Sequence, residues 1–139
     1  MVSFQPSTDL STSAVLTFEN MRPYYAHYGV DWQQATIYEQ ISGLDNWDIL
    51  IQGEVVGAIR MAMENGDGYL RDLQVNAAFQ NRGVGAKALD EAARIAKERG
   101  AAHLKLRVFK ISPAFHLYTR EGFTLVKEDD RFYYMKKEL

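Results

Sequence analysis

Apolar positions along the chain change period at about residue 45. Before it, Leu10, Ala14, Phe18 and Met21 recur at helical spacing, and Asp9 stands where a cap belongs. Pro23 lacks an N–H and restricts the residue before it, so the pattern predicts an end or a kink near Met21 or Arg22. An aromatic stretch follows: Tyr24, Tyr25, His27, Tyr28. Asp31 is then expected to cap a second helix through about Ser42, with Trp32, Ala35, Tyr38 and Ile41 at spacing three and Gly43 as its stop.

Beyond residue 45 the pattern reads as strands. Trp47–Gln52 and Val55–Met63 are predicted to pair across a turn at Gly53-Glu54. A second turn at Asn65-Gly66-Asp67-Gly68 leads to a strand at Tyr69–Val75. A long helix is predicted from about Gly83 to Arg99, with Val84, Ala88, Leu89, Ala92, Ile95 and Ala96 as its buried stripe. Leu104–Phe109 is the next strand. Ser112-Pro113 opens a short helix that Gly122 ends, and Phe123–Val126 with Phe132–Met135 reads as a last hairpin. Strand, long helix and strand form one β-α-β unit, which makes its two strands parallel inside an otherwise antiparallel sheet. The fold class is α/β, a mixed sheet flanked by helices, and 139 residues fit one domain.

Composition narrows the function. There are no cysteines, which excludes disulfides, thiolate metal sites and a cysteine nucleophile. A net charge of −2 gives no general attraction to nucleic acid or to an anionic membrane. Apolar runs are too short for a membrane span, and Met1–Pro6 does not read as a signal peptide, so the expected location is cytoplasmic. His103 and His116 have no ligand-like spacing with carboxylates, and no metal is expected.

The most informative segment is Gln80-Asn81-Arg82-Gly83-Val84-Gly85, where a loop opens the long helix. A first helical turn has unpaired N–H groups and a positive dipole end, and glycine lets an anion approach the backbone. Arg82 adds charge, and Lys87 sits one turn further on. The segment can therefore cradle a pyrophosphate, or it can be a glycine-rich helix start without a ligand. It is not a P-loop: Gly85-Ala86-Lys87-Ala88 fails on spacing and on the hydroxyl. A dinucleotide fingerprint is set aside as well. The following strand carries His103, Lys105, Arg107 and Lys110 rather than an acid, and three antiparallel strands precede the turn.

Here the chain resembles the GNAT family of N-acetyltransferases. Gln80, Gly83 and Gly85 match that family's Gln/Arg-x-x-Gly-x-Gly/Ala signature. Pro113-Ala114, Leu117-Tyr118 and Gly122-Phe123 match a second family segment, and Gly53-Glu54-Val55-Val56-Gly57 is a typical hairpin. The matches run from about Trp47 to the C-terminus. The resemblance implies the GNAT acyl-CoA N-acyltransferase fold and transfer of acetyl from acetyl-coenzyme A directly to an amine acceptor. It implies a pyrophosphate site on the backbone from Asn81 through Ala86, that is Asn81, Arg82, Gly83, Val84, Gly85 and Ala86. It implies pantetheine pairing with the backbone of Leu73 and Val75. Tyr118 aligns with the family tyrosine that protonates the leaving thiolate; otherwise it is a core tyrosine beside Phe115 and Leu117.

Two departures qualify the match. Some polyamine-acetylating members carry Glu-Asp in the pantetheine strand, whereas this chain has Arg71-Asp72. Asp72 is the candidate base, or else a solvated carboxylate or a partner for Arg71; Glu54 and Glu64 are further carboxylates. Many members have asparagine before the Pro-Ala pair, where this chain has Ser112, which can still cap the helix and bond the coenzyme. Acceptor choice in the family falls to the N-terminal third, here with Tyr24, Tyr25, His27, Tyr28 and Trp32, and Trp47 just beyond. These aromatics line an acceptor pocket or pack the helices on the sheet. A homodimer through the last strands is a further expectation, and a non-catalytic acyl-coenzyme A sensor on the same fold stays open.

Overall fold

The computed structural model describes residues 1–139. Seven strands form one sheet in the order β1-β2-β3-β4-β5-β7-β6. They are β1 (Val2–Pro6), β2 (Asp45–Ile51), β3 (Glu54–Glu64), β4 (Asp67–Val75), β5 (His103–Phe109), β6 (Thr124–Glu128) and β7 (Phe132–Glu138). Four helices accompany it: α1 (Leu10–Tyr28), α2 (Gln34–Ser42), α3 (Val84–Glu98) and α4 (Ala114–Arg120). Every pairing is antiparallel except β4 with β5, the predicted parallel pair. The expected mixed sheet is therefore present.

α3 packs on one face of the sheet. Val84, Ala88, Leu89, Ala92, Ile95 and Ala96 are all buried, the stripe its spacing predicts, against Ile59, Met61, Leu70, Leu104 and Leu106. α1 and α2 cover the other face around a smaller cluster of Ala14, Tyr25, Ile37, Ile41 and Phe109.

The N-terminal third departs most from expectation. β1 has no predicted counterpart; Val2 and Phe4 turn inward while the strand pairs with β2. α1 runs through Pro23 to a left-handed Gly29 (φ 68°). The lost N–H removes one helical bond, but Tyr24 and Tyr28 stack on Phe109 and Tyr25 meets Trp32 edge-on, so packing carries the last turn. Asp9 caps α1 as expected, accepting from the Thr12 N–H at 3.1 Å. Asp31 does not cap α2: it accepts from Gln33 Nε2 at 2.9 Å, and the helix opens at Gln34. The buried face of α2 is Ile37 and Ile41, while Tyr38 is exposed.

The first hairpin turn lies one residue earlier than predicted, and the second takes the first two positions of the predicted Asn65-Gly66-Asp67-Gly68 stretch. Gln52-Gly53 (φ 52°, 79°) and Asn65-Gly66 (φ 53°, 81°) are both left-handed at two positions, the twist a two-residue hairpin needs. In β4, Arg60 pairs with Asp72 and Met61 with Leu70, so Arg71 is the extra residue of a β-bulge.

Candidate active site

The parallel ladder between β4 and β5 holds only Gly68 with Leu104 and Tyr69 with Lys105. Past that point the strands part, and the gap opens into a cavity of about 580 Å³. The antiparallel alternation decides which backbone groups of β4 face it. The Asn76 N–H donates to Val56 at 2.7 Å, which marks Gly57–Val75, and two residues on Ile59–Leu73, as pairs that do not bond each other. The N–H and C=O of Leu73 and Val75 therefore point away from β3, toward the gap. Leu73 is free there. The Val75 carbonyl is occupied: it accepts from Gln80 Nε2 at 2.9 Å and from Asn20 Nδ2 at 3.0 Å. Only the Val75 N–H is left for a ligand, and Gln80 acts as a clasp between β4 and the glycine turn.

The turn itself is held open. Asn81 (φ 61°) and Gly83 (φ 79°) are left-handed, and a Cβ added at Gly83 would meet nothing within 4 Å. Gly85 has a different task. A Cβ there would fall 2.9 Å from Leu117 Cδ2, so its missing side chain lets α4 pack against α3. Val84 is buried in the core and can offer a ligand only its backbone. The Arg82 guanidinium sits 5.5 Å above the Phe79 ring. Gln80, Asn81, Gly83, Gly85, Ala86 and Ser112 line the cavity; Arg82 and Val84 do not. Ser112 Oγ accepts from the Ala114 N–H at 3.2 Å, capping α4 as expected, and its own proton stays available.

Tyr118 projects from α4 to the same cavity, buried and edge-on to Phe123 at 5.7 Å. Burial pushes its phenol above the usual tyrosine range, and the charge of Asp72 adds to that; no hydrogen bond opposes it. Tyr25, also on the cavity wall, is raised by burial first and by Asp72 second, against a lowering by Arg60.

Asp72 lines the cavity with a fifth (20%) of its side chain exposed. Its partner is not Arg71, which pairs with Glu64 on the surface. It is Arg60, a fully buried guanidinium whose Nη1 lies 2.5 Å from Asp72 Oδ2. Arg60 also donates to Thr17 Oγ1 (2.7 Å), Asn46 Oδ1 (2.8 Å), Ser13 Oγ (2.5 Å) and the Ser13 carbonyl (3.2 Å). All five of its donors are met. Gln74 Nε2 donates to the other Asp72 oxygen at 2.5 Å. Neither Glu54 nor Glu64 lines the cavity.

Of the N-terminal aromatics, Tyr24, Tyr25 and Trp32 line the cavity. Tyr28 stacks on Phe109 and donates to the Arg131 carbonyl, and Trp47 lies under Arg99. Sequence reasoning missed Asn20, Arg60, Gln74 and Arg107. Arg60 alone left a signal: a charge inside the apolar run Val55–Met63 needs buried partners. His103 does meet carboxylates, Asp67 at 3.0 Å and Glu138 at 3.6 Å, which sheet register brings together and chain spacing conceals. No helix is long and apolar enough to cross a membrane.

A parting parallel strand pair, a glycine turn at its mouth and a tyrosine across the gap surround one cavity that free backbone groups of β4 face. The acetyltransferase (GNAT) family pattern matches residues 15–123, and the chain belongs to that family. Over 65 residues, 46% of this chain and 34% of the relative, it is 37% identical to the streptothricin acetyltransferase of Streptomyces lavendulae. The match thus spans about a third (34%) of that relative's length. PaiA N-acetyltransferase of Thermoplasma acidophilum, solved in complex with coenzyme A, superposes with a TM-score of 0.83 at 20% identity, over 100% of this chain and 99% of that one. Nourseothricin acetyltransferase superposes with a TM-score of 0.63 at 28% identity, over 68% of this chain and 65% of that one.

Proposed function

We propose that the chain transfers the acetyl group of acetyl-coenzyme A directly to an amine acceptor within a ternary complex. The observation that carries this reading is the gap past Tyr69 and Lys105, where Leu73, the glycine turn, Tyr118 and Asp72 surround one cavity. The pantetheine arm lies along β4, bonded to the N–H and C=O of Leu73 and the N–H of Val75. The pyrophosphate rests on the N–H groups from Asn81 through Ala86, with Arg82 adding charge and Gln80 holding the turn to β4. Ser112 donates its hydroxyl proton to the coenzyme.

The neutral amine attacks the thioester carbonyl carbon, forming the C–N bond. The C–S bond then breaks, and the departing thiolate takes the phenolic proton of Tyr118. The raised phenol stays protonated at neutral pH and so carries the proton, while burial makes it a weaker acid than a free tyrosine. The nitrogen's surplus proton leaves through water to Asp72 Oδ1 or Oδ2 and on to solvent. With no cysteine in the chain, no thiol acyl-enzyme intervenes.

The expected result is thiol release that requires both acetyl-coenzyme A and an amine. Tyr118→Phe should lower kcat by about 100-fold or more while coenzyme affinity by calorimetry stays within about twofold. Unchanged turnover in that variant removes Tyr118 from the mechanism. The engagement of both Asp72 oxygens favours a second reading, a non-catalytic acyl-coenzyme A sensor; tight coenzyme binding without turnover on any amine would select it.

A further inference from the structure

On the face covered by α1 and α2, the gap between β4 and β5 is flanked by two guanidinium groups. Tyr69 and Lys105 are the last paired residues of the two strands, and Arg71 and Arg107 each stand two residues further on. They occupy corresponding positions on the two edges of the gap. Both are exposed, and both line the cavity. Arg71 lies 5.2 Å over the Tyr69 ring and reaches Glu64 outside the cavity. Arg107 lies 4.2 Å over the Phe132 ring and pairs with no carboxylate.

The cavity holds one acidic side chain, Asp72, and its charge is already matched by Arg60 behind it. The wall next to Arg107 is apolar and aromatic: Phe109, Phe132, Tyr24, Tyr25 and Trp32. A polyamine entering here would bring several positive charges against the unpaired Arg107, with no uncommitted carboxylate to receive them. A molecule with a carboxylate has the opposite balance. Arg107 offers it a planar fork of N–H donors that no protein acid competes for.

The geometry points to the acceptor: we propose a small zwitterion, a primary amine that also carries a carboxylate on an apolar or aromatic body, as in an amino acid. The carboxylate sits on Arg107 with Arg71 beside it. The amine points inward past Asp72 to the thioester. This rests on the acetyl-transfer reading.

The test measures acetyl-coenzyme A consumption with amino acids bearing apolar and aromatic side chains, their carboxamides, and spermidine. The acid should exceed its amide in kcat/KM by about tenfold or more, because a charge-assisted bond is lost with the carboxylate. Spermidine should fall below both. In Arg107→Gln the acid-to-amide ratio should collapse toward one, through KM, and Arg107→Lys should keep part of it. Thermal melting checks that both variants fold. Amides or spermidine turned over as well as the acids, or a ratio unchanged in Arg107→Gln, would overturn the zwitterion and leave acetyl transfer standing. Coenzyme binding with no turnover on any member of the panel overturns the zwitterion, and no turnover on any amine overturns acetyl transfer as well.

Discussion

Replacing Asp72 with asparagine separates two roles that its position combines. Arg60 has no exposed surface, and Asp72 is its only counter-charge. The amide keeps the side chain's shape and one acceptor but leaves a guanidinium buried without an anion. Removing one member of a buried pair costs about 3–5 kcal/mol. Because Asp72 keeps 20% of its side chain exposed, water reaches the site and the lower end, about 3 kcal/mol, applies. For a chain of this size that lowers Tm by roughly 10 °C. Urea denaturation of Asp72→Asn, Arg60→Met and the double variant measures the pair. Removing both charges should cost about 2 kcal/mol less than the sum of the single losses. A single Asp72→Asn loss under about 1 kcal/mol would refute the view that Asp72 neutralises Arg60.

The same variant, assayed well below its melting temperature, tests the proton path. At neutral pH the acceptor is mostly ammonium and needs an acceptor for its proton; near its own pKa it does not. The deficit of Asp72→Asn in kcat/KM should therefore shrink as pH rises. A deficit that stays constant with pH removes Asp72 as base and leaves it the counter-ion of Arg60.

Two further outcomes follow from particular contacts. In Gly57→Ala the new Cβ would lie 2.2 Å from the Gln74 carbonyl oxygen, so β3 and β4 must separate. We expect a loss of about 3 kcal/mol in urea denaturation, with weaker coenzyme binding because Leu73 and Val75 flank Gln74; a loss under about 1 kcal/mol would contradict the close approach. Asp129 accepts from the Tyr134 hydroxyl at 2.7 Å and from the N–H groups of Arg131 and Phe132. These bonds, Tyr134's first, bring its carboxyl from 3.8 down to about 2. A lowered folded-state value means its contribution is complete above pH 3.8 and is lost as pH falls toward 2. A carbon-detected NMR titration with a midpoint near 3.8 would show those bonds to be ineffective.

The half of the cavity proposed for the coenzyme was legible in the sequence because backbone conformation builds it. Gly83 announces a left-handed turn, the α3 stripe announces which way that helix faces, and Ser112-Pro113 announces the start of α4. Each is a local rule with a local spelling. What stayed hidden there depends on partners distant in the chain: the parting of β4 from β5, the capture of the Val75 carbonyl by Asn20, and the space that Gly85's missing side chain leaves for Leu117.

The half proposed for the acceptor has no local spelling at all. Its wall comes from α1, the α1–α2 connection, α2, the β4 bulge, β5 and the first residue of β7. Arg107 looks from its neighbours like a solvated strand cation, and only the sheet order β4-β5-β7 puts it over Phe132 and across a gap from Arg71. Asp72 and Arg71 are adjacent in sequence, which makes them an obvious pair. The bulge breaks that pairing: it turns Arg71 to the surface and Glu64, and leaves Asp72 to the buried Arg60. One inserted residue thus places Arg71 at the mouth of the cavity, paired with Glu64, while its neighbour holds the interior charge in balance. Arg71 and Asp72 are thus held in separate ion pairs, although they occupy consecutive positions.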